Sequence, residues 1–304
     1  VILTSATDEK VYDGTPLTNH TVTVSGDGFA AGEGATYDVT GTQTDKGSSD
    51  NTFTYKLNED TKASNYNIEI AVGKLTVKES EKTVVVTIKG NTDGKTYDGT
   101  EHSVSGYQVE SIKIGENDTN LYTENDFEFS GKAEAKGTNA GTYPMGLKEA
   151  QFTNKNGNFT SVVFVVTDGK LEISPRQVTL TSESANKPYD GTALTRPDVA
   201  GGDGFVAGEV TDIRATGSVT NVSEGEVTNT ITYTTGEKFN ADNYNITPEE
   251  GKLSITASQE KVTVTITGHT NTEKYDGTPK KAEGYEAVIA SDSGLYKEAD
   301  FSFS

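Results

Sequence analysis

Apolar and polar residues alternate with a period of two at many points along the chain. Val262, Val264 and Ile266 alternate with Thr263, Thr265 and Thr267, and Phe53, Tyr55 and Leu57 alternate with Thr52, Thr54 and Lys56. That period sends successive side chains to opposite faces of a strand. It predicts half-buried strands of the kind that antiparallel sheets use. Asp13-Gly14, Asp27-Gly28, Asp93-Gly94, Asn156-Gly157 and Asp168-Gly169 supply turn signals between such runs. No window carries an apolar stripe of helical period long enough for a good helix. At most a helical turn follows Phe29 or Tyr122. The expected class is all-β.

The pattern repeats. Tyr-Asp-Gly-Thr occurs four times: Tyr12-Asp13-Gly14-Thr15, Tyr97-Asp98-Gly99-Thr100, Tyr189-Asp190-Gly191-Thr192 and Tyr275-Asp276-Gly277-Thr278. A lysine stands one or two residues before each: Lys10, Lys95, Lys187 and Lys274. Gly-Lys-Leu follows three times, at Gly73, Gly169 and Gly251. Two module types alternate. One type carries Gly26-Asp27-Gly28-Phe29 and Asn65-Tyr66-Asn67-Ile68, matched by Gly202-Asp203-Gly204-Phe205 and Asn243-Tyr244-Asn245-Ile246. The other carries Val84 to Ile88, Gly106-Tyr107 and Asp126-Phe127-Glu128-Phe129, matched by Val262 to Ile266, Gly284-Tyr285 and Asp300-Phe301-Ser302-Phe303.

Charged and polar links between strand-like runs place boundaries that give modules 1–80, 81–175, 176–258 and 259–304. The first and third are of one type, the second and fourth of the other. A full module has room for roughly six or seven short strands, the size of an Ig-like sandwich. Tandem small sandwiches in an elongated array are expected, with β-grasp-like modules as the alternative. The fourth stops at the point matching Ser130 and is expected to lack its final strands: either it is partly disordered, or the missing strand leaves an edge that a neighbour can pair with, or the boundaries are shifted relative to the folding unit. With Val1 first and Met145 the only methionine, the chain reads as a piece of a longer protein whose targeting signals lie elsewhere.

Composition narrows the function. The net charge of −20 argues against a phosphate backbone or an anionic bilayer as partner. No nucleic acid and no membrane insertion are therefore expected; the longest apolar run, Val162 to Val166, is far too short to span a bilayer. Absence of cysteine removes disulfides, thiolate metal sites and cysteine nucleophiles. The three histidines, His20, His102 and His269, occupy unmatched places in the repeats, and no Gly-x-Ser-x-Gly elbow appears. An enzyme is not expected.

The recurring motif has a structural reading. Its Asp can bond the backbone two residues on, its Gly supplies a positive φ, and its Tyr can bury a ring while keeping the hydroxyl bonded. A carbohydrate or peptide contact at each module is the functional alternative. Asp13, Asp98, Asp190 and Asp276 make calcium a candidate, although no EF-hand loop is present; otherwise no cofactor or metal is expected. Lys10 with Asn65, and Lys187 with Asn243, are candidates for an internal amide cross-link, which needs a buried, neutral amine.

Lys-x-Tyr-Asp-Gly-Thr, Gly-Asp-Gly-Phe-x-x-Gly-Glu, Asn-Tyr-Asn-Ile and Gly-Lys-Leu together resemble the YDG-type repeat of bacterial surface proteins. Ala140-Gly141-Thr142-Tyr143 with Asn158-Phe159 resembles the related MBG-type repeat. The resemblance implies large, secreted, repeat-built adhesins at the bacterial cell surface or cell wall, and it carries no catalytic residues. It also implies partners of two kinds, neighbouring modules of the same chain and a host glycan or protein. The expected function is a stalk that projects a distal adhesive domain. Binding of a host ligand by the modules themselves is the alternative.

Overall fold

The computed structural model describes residues 1–304 apart from Gly202, the first glycine of the second Gly-Asp-Gly-Phe, which lies outside the described residues. The structure is all-β, with short strands and 3-10 turns. No helix among the described residues is long and apolar enough to cross a membrane. The chain divides into two units, residues 1–95 with 101–173, and residues 96–100 with 174–304.

In the first unit, Ile2–Ser5 lies between Val22–Ser25, its antiparallel partner, and Glu69–Ala71, which runs parallel to it. Asp8–Val11 runs parallel to Lys74–Lys78, whose other edge takes Gly47–Asp50 antiparallel. Ala35–Val39 and Phe53–Leu57 form a separate antiparallel pair. Further along, Ser80–Gly90 pairs antiparallel with Tyr107–Ile114 and parallel with Phe159–Thr167. Short pairs complete this stretch: His102–Ser105 with Glu134–Gly137, Phe127–Phe129 with Phe152–Asn154, and Gly141–Pro144 with Lys170–Ser174.

The second unit repeats the first arrangement. Arg176–Ser182 runs parallel to Tyr244–Glu249, and Ala185–Pro188 runs parallel to Lys252–Thr256. Val210–Ala215 pairs antiparallel with Ile231–Thr235. Thr263–Gly268 pairs with Tyr285–Ala290, its one strand partner among the described residues.

The parallel pairs depart from the antiparallel sheets that the alternation predicts. Alternation has the same period in either direction, so it fixes which face is buried and not which way the neighbour runs. A parallel partner needs a long crossover, and here the intervening strands supply it where many folds use a helix.

The Gly-Lys-Leu marker is explained by this crossover. Each glycine lies where two backbones touch. A Cβ on Gly73 meets the Ser5 and Ala6 carbonyl oxygens at 2.4 and 2.3 Å, and one on Gly251 meets the Glu183 carbonyl oxygen at 2.3 Å. A Cβ on Gly169 meets the Asn91 carbonyl oxygen at 2.3 Å. The lysine points to solvent, and Leu75, Leu171 and Leu253 are completely buried. A polar lock sits beside two of these crossings. Ser5 Oγ donates to the Asn51 carbonyl (2.6 Å) and accepts from the Gly73 N–H (2.9 Å). Ser182 Oγ does the same with Asn229 (2.6 Å) and Gly251 (3.0 Å). Asn51 and Asn229 are fully buried, and each side-chain amide donates to two carbonyls that would otherwise be orphaned.

The cores are small. Val84, Val86 and Ile88 are fully buried with Tyr122, Phe127, Phe152, Phe159 and Phe164 around them. Leu17, Leu75 and Val77 form a second cluster, and Leu194, Val219, Leu253 and Ile255 a third. In the run Val162 to Val166, Phe164 is buried while Val163 and Val165 are exposed, so even this stretch obeys the two-residue period. Val262, Val264 and Ile266 match Val84, Val86 and Ile88 in sequence, but the two valines stay partly exposed and Ile266 is exposed, since no strand among the described residues pairs there as Phe159–Thr167 does with Ser80–Gly90. The helical turn expected after Tyr122 is a 3-10 turn, Glu124–Asp126, capped by Thr123; none follows Phe29.

Gly73→Ala and Gly251→Ala are expected to destabilise by at least the cost of Leu75→Ala, about 2–5 kcal/mol, since the obstructing atoms are backbone. Gly157→Ala, where a Cβ meets nothing within 4 Å, is expected to leave the urea midpoint unchanged. Equal midpoints for all three glycine variants would remove the close-approach explanation.

Candidate functional site

The four Tyr-Asp-Gly-Thr segments share one local geometry. The Asp carboxylate accepts from the backbone N–H of the following Thr at 2.9, 2.9, 2.9 and 3.0 Å for Asp13, Asp98, Asp190 and Asp276. It also accepts from that Thr's hydroxyl at 2.7–2.8 Å. Gly14, Gly99, Gly191 and Gly277 all hold φ between 78° and 81°, a conformation glycine adopts without steric cost. Lys10 and Lys187 reach their Asp at 2.6 and 2.8 Å and also bond Thr15 and Thr192. Lys280 does the work at Asp276, at 2.6 Å, and Lys95 pairs with Asp93 instead. The lysine contact and the Thr donors hold Asp13, Asp190 and Asp276 well below the usual carboxylate range, to about 2 for the last two.

The turn therefore stands preformed, and its tyrosine is aimed at something else. In the first unit, Tyr12 touches both the Leu17–Leu75–Val77 cluster and the aromatic core of 80–174. Its ring meets Phe159 edge-on at 5.5 Å. Leu121 covers Gly14 so closely that a Cβ there would lie 2.2 Å from Leu121 Cδ2. Polar contacts flank the ring: the Lys46 N–H donates to Asn158 Oδ1 (2.7 Å), and Asn158 Nδ2 donates to Asp45 (3.0 Å). In the second unit, Tyr189 packs on the Leu194–Leu253 cluster, and Leu295 covers Gly191.

Tyr97, which belongs to the second unit, is the most enclosed of the four. Its ring stands edge-on to Tyr244 at 5.4 Å and is 3 % exposed. Its hydroxyl donates to Glu209 Oε1 at 2.5 Å. The Tyr244 hydroxyl donates to the other oxygen, Glu209 Oε2, at 2.8 Å and accepts the Val206 N–H at 2.9 Å. Phe205 stands edge-on to Tyr244 at 5.1 Å, Phe239 stacks on it at 5.6 Å, and Val206 covers Gly99. Burial, reinforced by the Glu209 carboxylate, pushes the Tyr97 hydroxyl up to about 12, with Asn243 offsetting part of the rise. Burial also raises Tyr244 to about 12; the Val206 N–H opposes that rise and Glu209 adds to it. Glu209, Phe205, Asn243 and Tyr244 thus make a socket, and Tyr97 is the peg.

Among the sequence candidates, the Tyr-Asp-Gly-Thr residues come together as turn and peg. Lys10 and Lys187 pair with Asp13 and Asp190 of their own turns, at 2.6 and 2.8 Å. Asn65 is exposed, while Asn243 is fully buried in the socket beside Tyr97. No group of three or more His, Cys, Asp or Glu side chains among the described residues is placed to hold a metal ion. Glu209 was not singled out by the sequence reading, although the shared Gly-Asp-Gly-Phe-x-x-Gly-Glu ends on it and on Glu33. Beside Tyr12 runs a groove of about 1020 Å³, lined in part by Val11, Lys46, Val77, Lys78 and Lys82.

Residues 83–175 match the family model of the MBG domain. That stretch contains the strand Gly141–Pro144, whose Tyr143 ring fills the space over Gly137, and Phe159 of the aromatic core. Compared with curated proteins, the chain finds no match.

Two predictions follow from the socket and the lysines. Tyr97 and Tyr244 have raised pKa values in the fold, so their contribution to stability is complete below about 10, the ordinary tyrosine value. It is lost as pH rises from about 10 through about 12. Tyrosinate absorbance should therefore show a late-ionising subset that appears together with unfolding. Tyr97→Phe, which removes one bond to a buried carboxylate, should cost about 1–3 kcal/mol and diminish that subset. The intact mass should equal the unmodified sequence mass; loss of an ammonia per Lys–Asn pair would establish a cross-link instead.

Proposed function

We propose that the chain is a non-enzymatic spacer region of a secreted bacterial surface adhesin, whose β modules hold a distal binding domain away from the cell. The observation that carries this reading is the fate of the recurring motif. Its Asp, Gly and Thr are spent on one another, and Tyr12 is spent on closing two neighbouring cores. A motif repeated for joining strand sets is what a load-bearing array needs, since each repeat must fix the next. The MBG match over 83–175 supports a surface adhesin-like protein. A net charge of −20 suits a chain that must stay soluble and unattached to anionic surfaces.

Binding of a host glycan or protein by the modules themselves is favoured by one feature, the groove beside Tyr12. It sets Val11 and Val77 beside charged groups of both signs, Lys46, Lys78 and Lys82 with Asp13, Glu79 and Glu81, and Lys46 is paired to Glu79.

Small-angle scattering separates the two. Four modules in line should reach a maximum dimension of about 120–160 Å, at about 40 Å per module. A compact particle about 70 Å across would overturn the spacer reading and make the groove the site to pursue.

A further inference from the structure

Phe159–Thr167 is the outermost strand of its four-stranded sheet and pairs with Ser80–Gly90 on one side only. Among the described residues, nothing else bonds the main chain of 159–167. Its outer edge is therefore a row of N–H and C=O groups facing water. The strand is nine residues long, lies in the interior of the sequence, and holds neither proline nor a charged residue. Its outward face carries Val163 and Val165, each 45 % exposed, together with Ser161 and Thr167.

The strands in the equivalent place elsewhere are guarded. Glu69–Ala71 and Tyr244–Glu249 are also outermost strands, and they run parallel to Ile2–Ser5 and Arg176–Ser182 as Phe159–Thr167 runs parallel to Ser80–Gly90. The first has three residues and opens on Glu69. The second carries Pro248, which has no N–H to offer, and ends on Glu249. Short length, proline and charge keep a sheet edge from pairing with another chain. None of them is present at Phe159–Thr167.

Charge decides what can approach this edge. The chain carries a net −20, so two copies repel over most of their surface. Two uncharged strands can meet with no like charges opposed. Phe159–Thr167 is also complementary to itself. Laid antiparallel on its own copy over its full length, it sets Val163 against Val163, Ser161 against Val165 and Val162 against Phe164. Outward residues then meet outward ones, and inward residues inward ones. Asp168, the first charge beyond the strand, falls opposite Asn158.

We propose that two copies of the chain pair edge to edge through Phe159–Thr167, antiparallel about a two-fold axis at Val163. The contact is isologous and closes at a dimer. It joins two four-stranded sheets into one continuous sheet and gives partners to main-chain groups that face water in the single copy. A lone strand pair is a small interface beside the about 1,200–2,000 Å² that stable complexes bury, so the dimer forms only at high concentration. This pairing is independent of the spacer reading.

The test is sedimentation equilibrium of the full chain from micromolar to millimolar concentration, with Val163→Lys and Val163→Glu. Val163 faces water, so both variants should keep the parent's circular dichroism and urea midpoint within error. Val222, an exposed valine outside this sheet, supplies the control Val222→Lys. The parent and the control should form dimers and nothing larger. Each Val163 variant alone sets like charges together on the axis and should dimerise about fivefold more weakly, or not at all. An equimolar mixture of the two sets Lys against Glu and should dimerise as the parent does. A parent that stays monomeric up to millimolar concentration overturns the inference and leaves the edge to an extended segment of a different protein. Unchanged dimerisation of either Val163 variant overturns it too, as does a mixture no stronger than its components.

Discussion

A cluster of three or four buried aliphatic side chains is too small to hold a stack of short strands. Leu17, Leu75 and Val77 make up one such core and Leu194, Val219, Leu253 and Ile255 another. With 32 % hydrophobic residues the chain has little more to give each set of strands, and small units gain little from burial in any case. The shortage is met by sharing. Tyr12 belongs to the Leu75 core by sequence, yet it also packs against Phe159 and the aromatic core around it. One side chain removes apolar surface from water on both sides, and an edge-on pair with Phe159 adds the favourable ring geometry.

The polar devices answer the same shortage. Ser5 with Asn51, and Ser182 with Asn229, satisfy backbone groups where first and last strands cross. The crossing can then be tight enough to admit no Cβ at Gly73 or Gly251. A tight crossing brings Leu75 and Leu253 inward to complete burial. Thin cores thus depend on close backbone contact, and close backbone contact depends on the backbone N–H groups at the crossing, those of Gly73 and Gly251, having partners.

Much of this was legible in the sequence, and the rest was hidden for identifiable reasons. Alternation located strands such as Phe53–Leu57, and the Asp-Gly turn chemistry of Tyr-Asp-Gly-Thr depends only on residues two apart. Strand direction was not legible, because Ile2–Ser5 would alternate identically beside a parallel or an antiparallel Glu69–Ala71. Gly-Lys-Leu was visible as a marker but not as a crossing, since its reason lies in carbonyls more than sixty residues away, at Ser5 and Ala6. Glu209 was hidden among 46 acidic residues. The signal that could have found it is its fixed place after Gly-Asp-Gly-Phe, four residues beyond a phenylalanine, in both copies of that module type.

The position of the peg has a mechanical consequence. A tyrosine held by its own rigid turn on one side and by a carboxylate on the other resists both rotation and separation. Turning the ring breaks the bond from Tyr97 to Glu209, and pulling it out exposes the faces of Tyr244 and Phe205 to water. Breaking the bond alone also leaves a buried carboxylate with one partner fewer, and the low-dielectric surroundings make that loss expensive. The turn itself is indifferent to occupancy, since Gly277 and Asp276 keep the same geometry with Tyr275 in water. Preorganisation on both sides lowers the ordering cost of the joint. The same motif can therefore be used four times while its surroundings decide how far its tyrosine is enclosed, as Tyr97 and Tyr275 show.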